Sequence, residues 1–194
     1  MADHLLRFPA AEEEIRKLRA GDSALVDGHI IGIRDRTHIR IFDQGVEPPM
    51  DLRGAFLLHT APGVRKLGPG RYEKVSIGTT TSWRMARFTE QLGRDHGVRA
   101  IAGKGGLPDE VIEPMRTYGM VYFAIVGGAA ALETTQIEEI EEVAWEELMP
   151  ECLWKFRVKN FGPLTVAIDS HGNSLYQDVQ EQAKKKLEDL YARL

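Results

Sequence analysis

Three short segments set glycine beside cationic or hydroxyl side chains directly after a strand-like run. They are Gly32-Ile33-Arg34-Asp35-Arg36-Thr37-His38, Gly78-Thr79-Thr80-Thr81-Ser82-Trp83-Arg84-Met85 and Gly103-Lys104-Gly105-Gly106. Ligand sites in α/β folds gather where strands end and helices begin, because backbone donors are exposed there. Arginine meets a carboxylate bidentately through its planar fork, whereas lysine acts as a mobile point charge. Brought together, Arg34, Arg84, Lys104 and the run of hydroxyls make an anion pocket. Each piece alone has a plainer reading. Arg34-Asp35 is by itself a surface pair or helix cap. Thr81 or Ser82 is an N-cap, and GKGG lacks the full Walker pattern with its hydroxyl after the lysine. His38 alone reads as a helix-face histidine without a role. Joint occurrence at three successive strand ends is what favours the pocket.

The elements that must position these residues follow from the apolar pattern. Ala10 to Leu18 reads as a short helix stopped by Gly21-Asp22. Ser23 to Ile33, Gly54 to Thr60 and Lys74 to Ile77 read as strands, with helices over Arg34 to Phe42 and Trp83 to Leu92. Arg34 then stands at a strand-to-helix corner. Val98 to Ala102 is a buried strand, and Pro108 to Tyr118 a helix with Asp109 and Glu110 in its first turn. Met120 to Val126 is a fully apolar strand, followed by a small-residue helix from Ala129 to Thr134. Later strands are expected at Ile137 to Trp145, Leu153 to Val158 and Leu164 to Asp169. Asn173 suits the cap of a final helix whose one face carries Leu175, Val179, Ala183, Leu187, Leu190 and Leu194. The mixture defines an α/β chain with more strands than a four-stranded sheet needs.

Composition narrows the function classes. The 194 residues suit one domain, 1–194, able to bury a core without staples. A net charge of −4 offers no basic field for nucleic acid or an anionic membrane. The longest apolar run, Met120 to Leu132, is too short to span a bilayer, and the charged opening MADHLLRFPAAEEE lacks a signal-peptide core. A single cysteine, Cys152, suits a reducing cytoplasm, reads as a core residue, and cannot hold an iron–sulfur cluster by itself.

With these residues in view, the sequence resembles the β subunit of two-subunit class I fumarate hydratases and L-tartrate dehydratases, equivalent to the C-terminal domain of single-chain class I fumarases. The likeness runs from Gly21-Asp22 to Asn173. It is carried by RDRTH at Arg34, GTTTSWRM at Gly78, GKGG at Gly103, VGGAAAL at Val126, IEEIEEVAWEELMPECLW ending at Trp154, and FGPLTVAIDSHGNSLY ending at Tyr176. In three places the chain departs from the pattern. Thr79 stands where proline is common, Ala61 where glycine precedes Pro62, and Leu148-Met149-Pro150 lacks a glycine before the methionine.

The resemblance implies a swivelling β/β/α domain that docks on an α subunit carrying a [4Fe–4S] cluster. The assembly would be a hetero-oligomer, with a homodimer as an option for the isolated chain. By the same resemblance Arg34, Arg84 and Lys104 match the substrate-carboxylate cations, and Thr80 matches the proposed catalytic base beside Arg84 and Lys104. The implied reaction is reversible dehydration of (S)-malate to fumarate. The alternatives are dehydration of L-tartrate to oxaloacetate, and a non-catalytic carboxylate-binding module of the same fold. A shared dicarboxylate requires Arg34, Thr80, Arg84 and Lys104 to line one surface, open on the side where the partner completes it. Trp83 is expected to pack beneath the turn that carries Arg84.

Overall fold

The computed structural model describes residues 2–126, 128 and 130–191. Gly127, Ala129 of the expected small-residue helix, and Leu194 of the last helix lie outside the described residues. The chain begins with β1 (Asp3–Phe8), the one-turn helix α1 (Glu12–Ile15) and the long strand β2 (Ser23–Ile33). α2 (Asp35–His38) follows β2 directly and widens into a π turn over Ile39–Asp43. β3 (Phe56–His59) precedes a hairpin of β4 (Gly63–Gly68) and β5 (Arg71–Ser76). A 3₁₀ turn over Trp83–Phe88 leads into α3 (Thr89–His96), which ends at Gly97 in the left-handed conformation usual for that cap. Next come β6 (Ala100–Gly103), α4 (Ile112–Thr117), β7 (Val121–Ala124) and α5 (Ala130–Glu133). β8 (Ile137–Ala144), β9 (Leu153–Ile168) and α6 (Leu175–Tyr191) follow.

The sheet order is β1-β2-β3-β6-β7-β9-β8, and β9 also pairs with β2. That extra pairing closes β2, β3, β6, β7 and β9 into a small barrel. β2 runs parallel to β3, β3 to β6 and β6 to β7. β9 is antiparallel to β7 at one end and to β2 along most of its length. The short strands β3 and β6 are buried at every residue, as expected of parallel strands covered on both faces. Alternation along β2 sorts its side chains: Val26 and Ile30 enter one core, Ile31 and Ile33 the other. Phe56 lies at the heart of the first core. Its ring meets Phe8 from β1 at 5.2 Å, Phe123 from β7 at 5.7 Å and Phe161 from β9 at 6.3 Å.

Several expectations are corrected. The helix expected over Ala10 to Leu18 is only α1, which buries Ile15, while Leu18 enters the core from the non-helical segment that follows. Strands β1 and β4 were not foreseen; β1 lacks clean alternation, and β4 begins at Gly63, which reads as a breaker. The two strands expected at Leu153 to Val158 and Leu164 to Asp169 are one strand, β9. It bends through Asn160 and Gly162, both at positive φ, so it reaches β2 and β7 alike. Asn173 does not cap α6; its amide donates to Asp169 Oδ2 at 2.8 Å. The apolar face of α6 is unburied, with Val179, Leu187 and Leu190 all more than half exposed. Among the described residues no helix is long and apolar enough to cross a membrane.

Phe56 joins side chains from β1, β7 and β9, so Phe56→Ala leaves a cavity where the barrel is least able to collapse. A loss of about 3–5 kcal/mol is expected from urea unfolding; a loss under about 1 kcal/mol would mean the barrel core is not as described.

Candidate active site

Because β2, β3, β6 and β7 are parallel, their C-terminal ends Ile33, His59, Gly103 and Ala124 lie on one side of the sheet. The Arg34 and Lys104 turns leave from that side. Arg34 follows β2 in an extended conformation, and its carbonyl accepts both the His38 backbone N–H at 3.0 Å and His38 Nδ1 at 2.9 Å. The turn after β5 returns between the ends of β3 and β6. There the Thr80 N–H donates to His59 O at 2.8 Å, the Lys104 N–H to Thr80 O at 3.2 Å, and the Ser82 N–H to Lys104 O at 2.9 Å. Thr80 and Lys104 are thus neighbours by backbone pairing, although they stand on separate turns.

The side chains converge on Asp35. Arg84 donates to its carboxylate through Nε at 3.2 Å and Nη2 at 3.0 Å, and Arg34 donates through Nε at 3.2 Å. Arg84 Nη2 also reaches Thr80 Oγ1 at 3.3 Å. The structure therefore brings Arg34, Thr80 and Arg84 into one hydrogen-bonded group, with the Lys104 backbone beside Thr80. Among the described residues the Lys104 ammonium has no ion-pair partner. Burial pushes the Asp35 carboxyl upward, but the Arg84 and Arg34 guanidiniums outweigh it and hold it below the usual carboxylate range. Arg84 is 46% exposed, so the group faces outward on at least one side.

A buried polar layer supports these turns. Ser82 Oγ receives the Tyr122 hydroxyl at 3.0 Å and lies 2.9 Å from His59 Nδ1. A Cβ on Gly103 would fall 2.0 Å from the same oxygen, so only glycine lets β6 pass this close. Gly106, at φ +72°, presses on the Tyr176 ring, which explains the second half of GKGG. The His38 and His59 rings meet edge to face at 5.5 Å, and His38 stacks on Phe88 at 5.1 Å. Desolvation lowers His38 to about 4 and His59 well below its ordinary value, so both are neutral. A carbonyl only accepts, so the bond to Arg34 O puts the His38 proton on Nδ1.

Two side-chain expectations are corrected here. Trp83 does not pack beneath its turn but is 56% exposed; the space below is filled by Met85, Ala86 and Phe88 instead. His38 is not a plain helix-face residue: it is fully buried and fixes the Arg34 backbone. Sequence reasoning missed His59 and Tyr122 altogether, since each ends or occupies an apolar strand with no motif around it. Thr79 Oγ1 is buried without a partner among the described residues, an orphan that a proline at this position would not create. Cys152 is buried as expected, and burial pushes its thiol up to about 11.

Fold and site together define an α/β domain in which two arginines, a threonine and the backbone of a lysine meet beside the ends of parallel strands. The chain belongs to the Fumarase C-terminus family, which it matches over residues 4–179. It is 41% identical over 172 residues to the L(+)-tartrate dehydratase subunit beta of Escherichia coli strain K12, covering 88% of this chain and 85% of that one. The putative L(+)-tartrate dehydratase subunit beta of Methanocaldococcus jannaschii is 38% identical over 184 residues, 92% of this chain and 94% of that one. A putative fumarate hydratase class I of Geobacillus stearothermophilus is 36% identical over 183 residues, 94% of this chain but 35% of that longer one.

The buried neutral histidines make acid a denaturant. Below the ordinary histidine value of 6.5 the unfolded chain takes up protons that folded His38 and His59 refuse. Stability is therefore complete above that value and falls as pH drops toward 4, by up to about 1.4 kcal/mol per pH unit for each histidine. Glu133, raised to about 7 by burial, titrates with the opposite sign. Urea unfolding of the Glu133→Gln chain should give a clearly lower stability at pH 5 than at pH 7; a flat profile would contradict the buried pair.

Proposed function

We propose that this chain, acting as one domain over residues 1–194, is the β subunit of an iron–sulfur hydro-lyase that reversibly dehydrates (S)-malate to fumarate. The observation that carries this reading is the meeting of Arg34 and Arg84 on the single carboxylate of Asp35, with Thr80 bonded to Arg84 and the Lys104 backbone paired to Thr80. Loss of water from a 2-hydroxy dicarboxylate requires a proton to leave the carbon beside a carboxylate, and negative charge builds on that carboxylate. Arg34, Arg84 and Lys104 bind it and stabilise the growing charge. Threonine is a weak base in water, so Thr80 serves only where cations favour its alkoxide. The Arg84 Nη2 donor at 3.3 Å supplies one such contact.

This chain does not suit the cluster itself. Its one cysteine is a buried thiol rather than an exposed thiolate, and cluster iron is held by several thiolates. Among the described residues no other His, Cys, Asp and Glu gather as a metal site. We therefore assign the [4Fe–4S] cluster to an α subunit that docks on the open face, as a swivelling β/β/α domain would allow, in a cytoplasmic hetero-oligomer. A second reading, L-tartrate to oxaloacetate, is favoured by the names of two relatives matched over most of their length. A non-catalytic carboxylate-binding module is disfavoured because Arg34, Thr80, Arg84 and Lys104 are all present and gathered.

The deciding assay reconstitutes the α–β pair anaerobically and offers (S)-malate, fumarate and both tartrates. Dehydration of malate with hydration of fumarate is the expected result. Turnover of L-tartrate alone would replace the malate reading, and turnover of none would remove the enzyme reading. The isolated chain should bind no iron and turn over none of these.

Arg84→Ala and Lys104→Ala sit on polar turns, so the reconstituted variants should keep their fold and lose about 10²–10³ in rate. Rates near those of the unaltered pair would show that the anion site lies elsewhere.

A further inference from the structure

Resting on the function just proposed, we infer that Asp35 is a positioning residue that locks the Arg34 and Arg84 guanidiniums side by side into one carboxylate clamp. The two arginines come from different turns, with Asp35 and Arg84 separated by 49 residues. Nothing in the backbone forces their side chains to the same point. Arg84 is 46% exposed and ends a long flexible stem, so alone it would sample many rotamers. Asp35 removes that freedom by accepting from both at once: Oδ2 bridges Arg34 Nε and Arg84 Nη2, while Oδ1 takes Arg84 Nε.

The choice of edges matters. Asp35 takes only Nε of Arg34, which leaves both Nη groups of that fork for another anion. On Arg84 it occupies the Nε–Nη2 edge, Thr80 shares Nη2, and among the described residues Nη1 is left over. The donors that remain are the outer ends of two guanidiniums anchored through their inner edges. Within this group the carboxylate also offsets part of the positive charge of Arg34 and Arg84, and the mutual repulsion of the arginines is relieved.

Glu151 is the other acid nearby, and its geometry differs. It stands 3.7 Å from Arg34 Nε, beyond hydrogen-bond reach, and its other oxygen accepts the Arg36 N–H at 2.9 Å. It braces the backbone of the turn and acts on Arg84 only through its charge, without a hydrogen bond, so it serves as the control. Asp35 is anionic and would repel a dicarboxylate directly, so it acts through the arginines and is not itself a substrate ligand.

The test uses the reconstituted α–β enzyme and steady-state kinetics on whichever of (S)-malate and L-tartrate the unaltered pair turns over. Asp35→Asn keeps the shape but cannot accept from both Arg84 donors. It should raise KM at least tenfold and lower kcat less, while Glu151→Gln leaves KM within about twofold of the unaltered enzyme. A merely structural role would lower the active fraction, and so apparent kcat, with KM unchanged; that result overturns the inference. Should Asp35→Asn not fold, Asp35→Glu is read in its place. It retains the charge but misplaces it by one methylene, so a raised KM supports the clamp and an unaltered KM overturns it. If the unaltered pair turns over neither acid, the proposed function fails before Asp35 is tested, which keeps the two failures distinct.

Discussion

Everything at the candidate site depends on the double pairing of β9. By bending at Asn160 and Gly162 it stays antiparallel to β2 while its last residues pair with β7, and the barrel closes. Closure fixes how far apart the ends of β2, β3, β6 and β7 lie, since each strand is set one ladder spacing from the next. With β9 on only one of its partners, the same four strands would form an open, twisting sheet, and the turns bearing Arg34 and Lys104 would splay. The polar chemistry is thus held by an apolar construction.

Directly beneath the turns the construction changes character. His38, His59, Ser82 and Tyr122 are all buried, and they are joined in pairs by hydrogen bonds and ring contacts. Such groups are costly to bury unless satisfied. Here they trade stability for definition: each bond holds a turn rather than a strand. His38 sets the Arg34 carbonyl, His59 the Ser82 hydroxyl, and the rings touch. The Arg34 turn and the Arg84 turn are consequently braced twice, below by histidines and above by the Asp35 carboxylate.

Much of this was legible in the sequence, and the reasons differ by element. The strands at Ser23 to Ile33, Val98 to Ala102 and Met120 to Val126 announce themselves because fully covered strands are continuously apolar. The three polar turns stand out since glycine next to cations directly after such a run has few other uses. The nearness of the Arg34 and Lys104 turns follows once β2, β3 and β6 are parallel neighbours, whereas the turn bearing Thr80 and Arg84 arrives from the β4–β5 hairpin. What stayed hidden was non-local. Nothing about Asn160-Phe161-Gly162 says that one strand bends there rather than two strands meeting, because the partners β2 and β7 are far away in sequence. The exposure of Trp83 was equally hidden, since an aromatic next to a charged residue is compatible with either face of a turn. His59 shows no signal beyond being the polar last residue of an apolar strand, and Tyr122 is one aromatic among several. Asp35 was visible, but its tie to Arg84 rests on a contact that only the folded chain makes.

The close passage of Gly103 over Ser82 has a consequence for how this sequence can drift. Any side chain at 103 would collide with the Ser82 oxygen, so position 103 is free to change only after 82 has lost its hydroxyl. Losing that hydroxyl removes the acceptor of the Tyr122 phenol and the partner of His59 Nδ1. Four positions spread from 59 to 122 are therefore physically coupled, since a change at one alters the space or the hydrogen bonds of the others.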